Sequence, residues 1–210
     1  MSRTFRFTRD PYEDKDYIYN KATFTFEPGV TVLVGCNGSG KTTLLKHIEN
    51  KVKNDKNSIL VKYNNLHDGG SNAISKAGFY GDMSLMATLV NSSEGESIMT
   101  NLNTIAAQIG RAVRENKDNN KDLFILLDAI DSGFSVDNIL DLKEYLFETI
   151  LKDCNEKRDV YIICSANEYE LCNGEKCFDV QNAKYMEFKN YEEYREFILN
   201  SRKNKDKRFS

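Results

Sequence analysis

The stretch GCNGSGKT at residues 35–42 fits the spacing G-x-x-x-x-G-K-[ST], and each residue type there suits one task, the holding of a nucleotide polyphosphate. Backbone N–H groups from Gly38 to Thr42 surround a phosphate because glycine permits close approach, and a helix starting at the loop's end adds its positive dipole end. Gly35, Asn37, Ser39, Gly40 and Thr43 complete the cradle. Lys41 reaches the β- and γ-phosphates, and the Thr42 hydroxyl is placed to ligate Mg²⁺. The motif therefore implies ATP and Mg²⁺ as ligands. Such a loop needs a second acid for the metal, at the C-terminal end of a neighbouring strand. Asp128, which closes the apolar run LFILLD at residues 123–128, meets that need. The next residue is Ala129, whose methyl group can neither accept a proton nor order water. Asp131, two residues farther on, is a candidate for the missing carboxylate. The alternative for Asp131 is an ordinary Asx-type turn before Ser132 and Gly133.

These residues need strands and helices to bring them together. VTVLV at 30–34 is apolar throughout, as a strand covered on both faces is, and it runs directly into the glycine-rich loop. From Thr42, the spacing of Leu44, Leu45, Ile48 and Val52 predicts a helix packed on a sheet. Residues 3–8 and 22–26 alternate polar and apolar positions, predicting an N-terminal antiparallel lobe. Further strands are expected at 58–63, 123–128, 160–164 and 184–188, and helices at 97–113, 135–153 and 191–200. The alternation of strand and helix predicts an α/β fold with a mostly parallel sheet flanked by helices. Residues 64–93 show no legible pattern.

The chain has 210 residues, 40% of them hydrophobic, enough for one domain with a sizeable core. Residues 1–200 are expected to form that domain, and the basic SRKNKDKRFS at 201–210 a disordered tail. A net charge of −3 excludes a global positive field for nucleic acid or anionic lipid, so any such contact is local. Five cysteines, an odd number without zinc-ligand spacing, suit a reduced intracellular protein, with Cys172 and Cys177 as two ordinary thiols. The longest apolar runs fall far short of a membrane span, so a cytoplasmic protein without membrane insertion is expected. His47 reads as a surface residue.

With the loop at 35–42 and Asp128 in place, the sequence from about residue 22 to 167 resembles an ABC-type ATPase. SSEGES at 92–97 is similar to the family's signature, aligning Ser93, Gly95 and Glu96 with S-x-G-[QE]. SGFS at 132–135 occupies the place of the dimer-contacting loop after the catalytic acid. IICSAN at 162–167 resembles the strand that ends in the family's switch histidine, a position held here by Ala166 or Asn167. Asn64 and Asn65 stand where a glutamine is usual, and Tyr12 is a candidate for stacking on adenine. The glutamate in the signature and the N-terminal lobe look more like heads of chromosome-maintenance and DNA-repair ATPases, or small bacterial or phage ATPases, than transporter subunits.

The resemblance implies the P-loop NTPase fold of ABC type and an ATP-dependent homodimer. In such a head-to-tail pair Ser93 and Gly95 of each chain would face the γ-phosphate held by the other, and Glu96 could reach the reacting centre across the interface. A slow ATPase is the expected activity. The alternative is an ATP-gated binding module with little hydrolysis, acting on an unidentified protein or nucleic-acid partner.

Overall fold

The computed structural model describes residues 1–7, 19–64, 94–116, 119–154 and 158–207. β1 (Arg3–Arg6) and β2 (Thr23–Phe26) form a two-stranded antiparallel sheet, with Phe5 opposite Phe24. The larger sheet contains β3 (Gly29–Val34), β4 (Ser58–Asn64), β5 (Asp122–Asp128), β6 (Val160–Ser165), β7 (Cys177–Asp179) and β8 (Lys184–Met186). Its order is β4-β5-β6-β3-β7-β8; the first five strands run parallel and β8 returns antiparallel to β7. The expected α/β architecture with a mostly parallel sheet and a small N-terminal antiparallel lobe is what the chain adopts.

Both faces of this sheet are covered, which is why its central strands read as unbroken apolar runs. Successive side chains point to opposite faces. Leu123, Ile125 and Leu127 therefore join Val32, Val34, Val160 and Ile162 in one core, while Phe124 and Leu126 join Leu33, Tyr161 and Ile163 in the other. The second core is unusually aromatic: Phe5, Phe24, Phe26 and Phe178 bring the N-terminal lobe down onto it, and Phe124 stacks on Tyr161 with centroids 4.5 Å apart.

Helix α1 (Lys41–Lys53) buries Leu44, Leu45, Ile48 and Val52 in the aromatic core, at roughly 1.5–3 kcal/mol per side chain, which fixes the helix that carries Lys41. α2 (Glu94–Glu115) packs Ile105 and Ile109 on the opposite face. The helix expected over 135–153 is α3 (Val136–Asp141), a π-helical segment (Leu142–Glu148) and α4 (Thr149–Cys154) in continuous succession. A single turn, α5 (Tyr169–Cys172), precedes β7. Neither α5 nor β7 was expected, because three or four residues are too few to show a period.

α6 (Tyr191–Asp206) corrects the boundary expected at Asn200. Asn190 caps it by accepting from the Glu193 N–H at 3.0 Å, Glu192 and Glu193 sit in its first turn, and Lys203 and Lys205 in its last, all in keeping with the helix dipole. The basic residues assigned to a tail thus extend a helix, and Ser201 is buried. All five cysteines are free and buried, and His47 is exposed beside the Phe7 ring. No described helix is long and apolar enough to cross a membrane.

Candidate nucleotide site

The sheet order determines what meets at the candidate site. β6 lies between β5 and β3, and all three run parallel, so Asp128, the Ser165–Asn167 turn and the loop after Val34 emerge side by side at their C-terminal ends. A cavity of about 330 Å³ lies there, lined by Cys36 through Thr43, Asp128, Ala129, Ser132, Ser165 and Asn167.

The loop has the form that a phosphate requires. Gly35, Gly38 and Gly40 have φ of 151°, 78° and 95°, conformations that side-chain-bearing residues rarely adopt. At Gly35 a Cβ would lie 2.4 Å from Ser39 Oγ. α1 starts directly after Gly40 with no side-chain cap and no acid in its first turn, leaving its positive end available to an anion. Lys41 is buried, and its Nζ donates to the Gly35 carbonyl at 2.8 Å. Burial lowers its pKa, while Cys36, Asp131 and Asp128 pull it back up. Ser39 Oγ is buried and has no hydrogen-bond partner among the described residues, a free donor inside the loop.

Asp128 is the hub of the opposite wall. Its Oδ1 accepts from Ser165 Oγ at 2.7 Å and from Thr42 Oγ1 at 3.1 Å, and its Oδ2 from Asn64 Nδ2 at 2.9 Å. Two oxygens at right angles on a Mg²⁺ ion, each about 2.1 Å from it, lie about 3 Å apart, so the Thr42–Asp128 pair has the spacing and the hard-oxygen chemistry of a magnesium site. These residues fit both the metal and the polyphosphate.

Ala129 follows with φ of 52°, a left-handed conformation uncommon for alanine, and its N–H donates to Ser165 Oγ at 2.8 Å. Ala129 is among the residues that line the cavity. The turn it creates sends Asp131 elsewhere. Asp131 is 1% exposed; its Oδ2 accepts from the N–H groups of Asn167 at 2.6 Å and Glu168 at 2.8 Å, and its Oδ1 from Asn167 Nδ2 at 3.4 Å. It does not line the cavity. Burial raises its pKa, opposed by those amide bonds. In this geometry the Asp131 side chain holds the turn after β6 and is not among the residues that line the cavity, which sets an anchoring role beside the expected catalytic one.

The loop residues from Asn37 to Thr43, Asp128 and Asn167 meet at one cavity, and Gly35 accepts from Lys41. Gly95 and Glu96 fall in the first turn of α2, with side-chain settings outside the described residues, where Ser93, Asn65 and Tyr12 also lie. Sequence reasoning missed Ser165, and it read Ser132 as the start of a dimer-contacting loop and not as part of the cavity wall. A hydroxyl closing the otherwise apolar β6, next in the sheet to the strand that ends in Asp128, was the available signal for Ser165. It also missed Tyr19, whose hydroxyl donates to the Gly40 carbonyl at 2.7 Å.

Comparison with known proteins agrees with this geometry. The family model described as ABC transporter matches residues 19–176, well over half of the chain. A putative ABC transporter ATP-binding protein of Pyrococcus abyssi is 37% identical over 57 residues, which is 27% of this chain and 22% of that relative. The shared segment thus spans under a quarter of the relative's length, and a special closeness to repair-type heads has no counterpart in these matches. By the extent of the family match the chain belongs to the ABC-type ATPases, a membership that implies ATP binding.

Proposed function

We propose that this protein binds Mg-ATP between the glycine-rich loop and Asp128, closes as a head-to-tail homodimer around it, and hydrolyses it slowly, acting chiefly as a nucleotide-gated switch. The observation that carries the reading is the wall facing the phosphate position: among the described lining residues Asp128 is the one carboxylate, and Ala129 stands where a base is wanted.

The roles follow from the residues. The loop N–H groups and Lys41 hold the β- and γ-phosphates, while Thr42 and Asp128 hold the metal. A magnesium ion held by Thr42 and Asp128 would supply positive charge against the phosphates. Ser165 and Asn64 fix the Asp128 carboxylate, so that it ligates without competing as a base. Ser132 and Asn167 line the same cavity and can orient water through a hydroxyl and an amide, but neither accepts its proton at neutral pH. Slow turnover is the consequence. Ser93, Gly95 and Glu96 of a second chain, as the family resemblance implies, would complete the γ-phosphate end.

The test combines light scattering with phosphate release in the presence of ATP and Mg²⁺, ADP, or no nucleotide. Dimers with ATP alone and turnover far below the ~10 s⁻¹ typical of enzymes support the reading. Failure to bind ATP, or turnover at ordinary enzymatic rates, would sink it. Dimers that persist for hours without phosphate release would favour the pure switch acting on a protein or nucleic-acid partner.

A further inference from the structure

A second cavity, of about 460 Å³, lies beside the glycine-rich loop, and Asn37 and Asn167 line both cavities. Its other wall is α6, which contributes Arg202 and Lys205. Tyr194, Ser201 and Lys205 are seven and four residues apart, so they share one face of that helix. Each touches the nucleotide site's framework: the Tyr194 hydroxyl donates to the Asn167 carbonyl at 2.9 Å, Ser201 Oγ accepts from the Cys36 N–H at 3.2 Å, and Lys205 Nζ donates to the Asn37 carbonyl at 3.4 Å. Lys205 Nζ also lies 3.7 Å from the position a Cβ would take on Gly38, the first residue of the phosphate-cradling run.

The contact made by Lys205 is weak and easily given up. A separation of 3.4 Å is at the outer limit for an N–H···O bond to a neutral carbonyl, and its ion-pair partner, Asp206 at 3.5 Å, is largely exposed. Its side chain is only 24% exposed, so the ammonium is partly withdrawn from water beside the loop. Lys41 is the one cation among the described residues that line the nucleotide cavity, whereas a triphosphate brings about four negative charges to it. Asn37 and Asn167 line both cavities, so the Lys205 ammonium, held at the Asn37 carbonyl, stands at the rim that the two share.

We propose that Lys205 is a γ-phosphate-binding residue: with a triphosphate in the loop, its ammonium turns from the Asn37 carbonyl to the terminal phosphate, so that α6 distinguishes ATP from ADP. This rests on the reading of the loop as an ATP site. It assigns α6 a part in nucleotide discrimination and places Arg202, 72% exposed on the same cavity wall, as the adjacent positive charge.

The experiment is calorimetric titration of the full chain with Mg-ATP and Mg-ADP, for wild type, K205Q, K205R and S201A. Lys205→Gln should weaken ATP binding about tenfold, equivalent to about 1.4 kcal/mol, and leave ADP binding within about twofold. Lys205→Arg should keep most of the ATP preference. Ser201→Ala removes a strap on the loop without removing charge, so it should shift ATP and ADP together. Equal losses for both nucleotides in K205Q, or no loss for either, would overturn the proposal. If wild type prefers ATP and K205Q keeps that preference, the inference alone fails. If wild type binds neither nucleotide, the reading of the site fails and this one with it.

Discussion

Replacing Asp131 by alanine and by asparagine separates two roles open to a carboxylate in this turn. As a structural anchor it satisfies two backbone N–H groups, of Asn167 and Glu168, at 2.6 and 2.8 Å through a single oxygen. An asparagine oxygen can accept both, so Asp131→Asn should cost no more than about 1 kcal/mol. Alanine leaves both donors without their acceptor. Residues 167 and 168 are exposed, so water recovers part of the loss, and about 1 kcal/mol per bond is the fitting magnitude, giving about 2 kcal/mol in all. In a chain of this size that lowers Tm by roughly 4–8 °C. The pH dependence supplies a second readout. Burial raises the Asp131 pKa, so the folded state holds this proton more tightly than the unfolded one does. The stability it contributes is full below the unfolded value near 4 and is lost as pH rises through the higher folded value. D131N should lack that part of the slope. Urea unfolding from pH 4 to 8 and single-turnover phosphate release would be measured on both variants. A D131N protein that folds and binds ATP normally but has lost all hydrolysis would refute the anchor role and return Asp131 to the chemistry.

Gly35→Ala puts a methyl 2.4 Å from Ser39 Oγ and 3.3 Å from Val180 Cγ2, at a φ of 151°, and should cost at least about 2 kcal/mol and abolish nucleotide binding in titrations. Ala129→Glu introduces a carboxylate on the cavity wall and should raise phosphate release about a hundredfold, the lower range for general-base catalysis; unchanged turnover would mean that water is not the missing element. Asp128→Asn keeps the contacts to Ser165 and Thr42 in shape but removes the charge. It should lose most of the gain in ATP affinity that Mg²⁺ provides, read by titration with magnesium and with EDTA.

Much of the sheet was legible because burial on both faces leaves local evidence: VTVLV and LFILLD can hardly be anything but covered strands. The phosphate loop was legible for a similar reason, since its function is carried by consecutive residues. What could not be read depends on neighbours distant in the chain. Ser165 becomes a partner of Asp128 only because β6 inserts between β5 and β3, and no spacing records that order. The amide contacts of Asp131 could not be read either, because they follow a left-handed turn at Ala129, a conformation that composition does not announce. The last turns of α6 looked like a tail because they are held by polar contacts from Ser201 and Lys205 and lack an apolar stripe.

The strap from α6 to the loop also has a timetable. Cys36 and Ser201 are 165 residues apart in sequence, so at a synthesis rate of about 5–20 residues per second the loop waits roughly 10–30 seconds on the ribosome before its buried N–H meets an acceptor. The most local motif in the protein therefore waits on a distant residue, and a nascent chain stopped before Ser201 carries a phosphate loop held by Tyr19 and Lys41 whose Cys36 N–H still lacks this acceptor. Capture of arrested chains on immobilised ATP, with stops before and after α6, would show when binding begins.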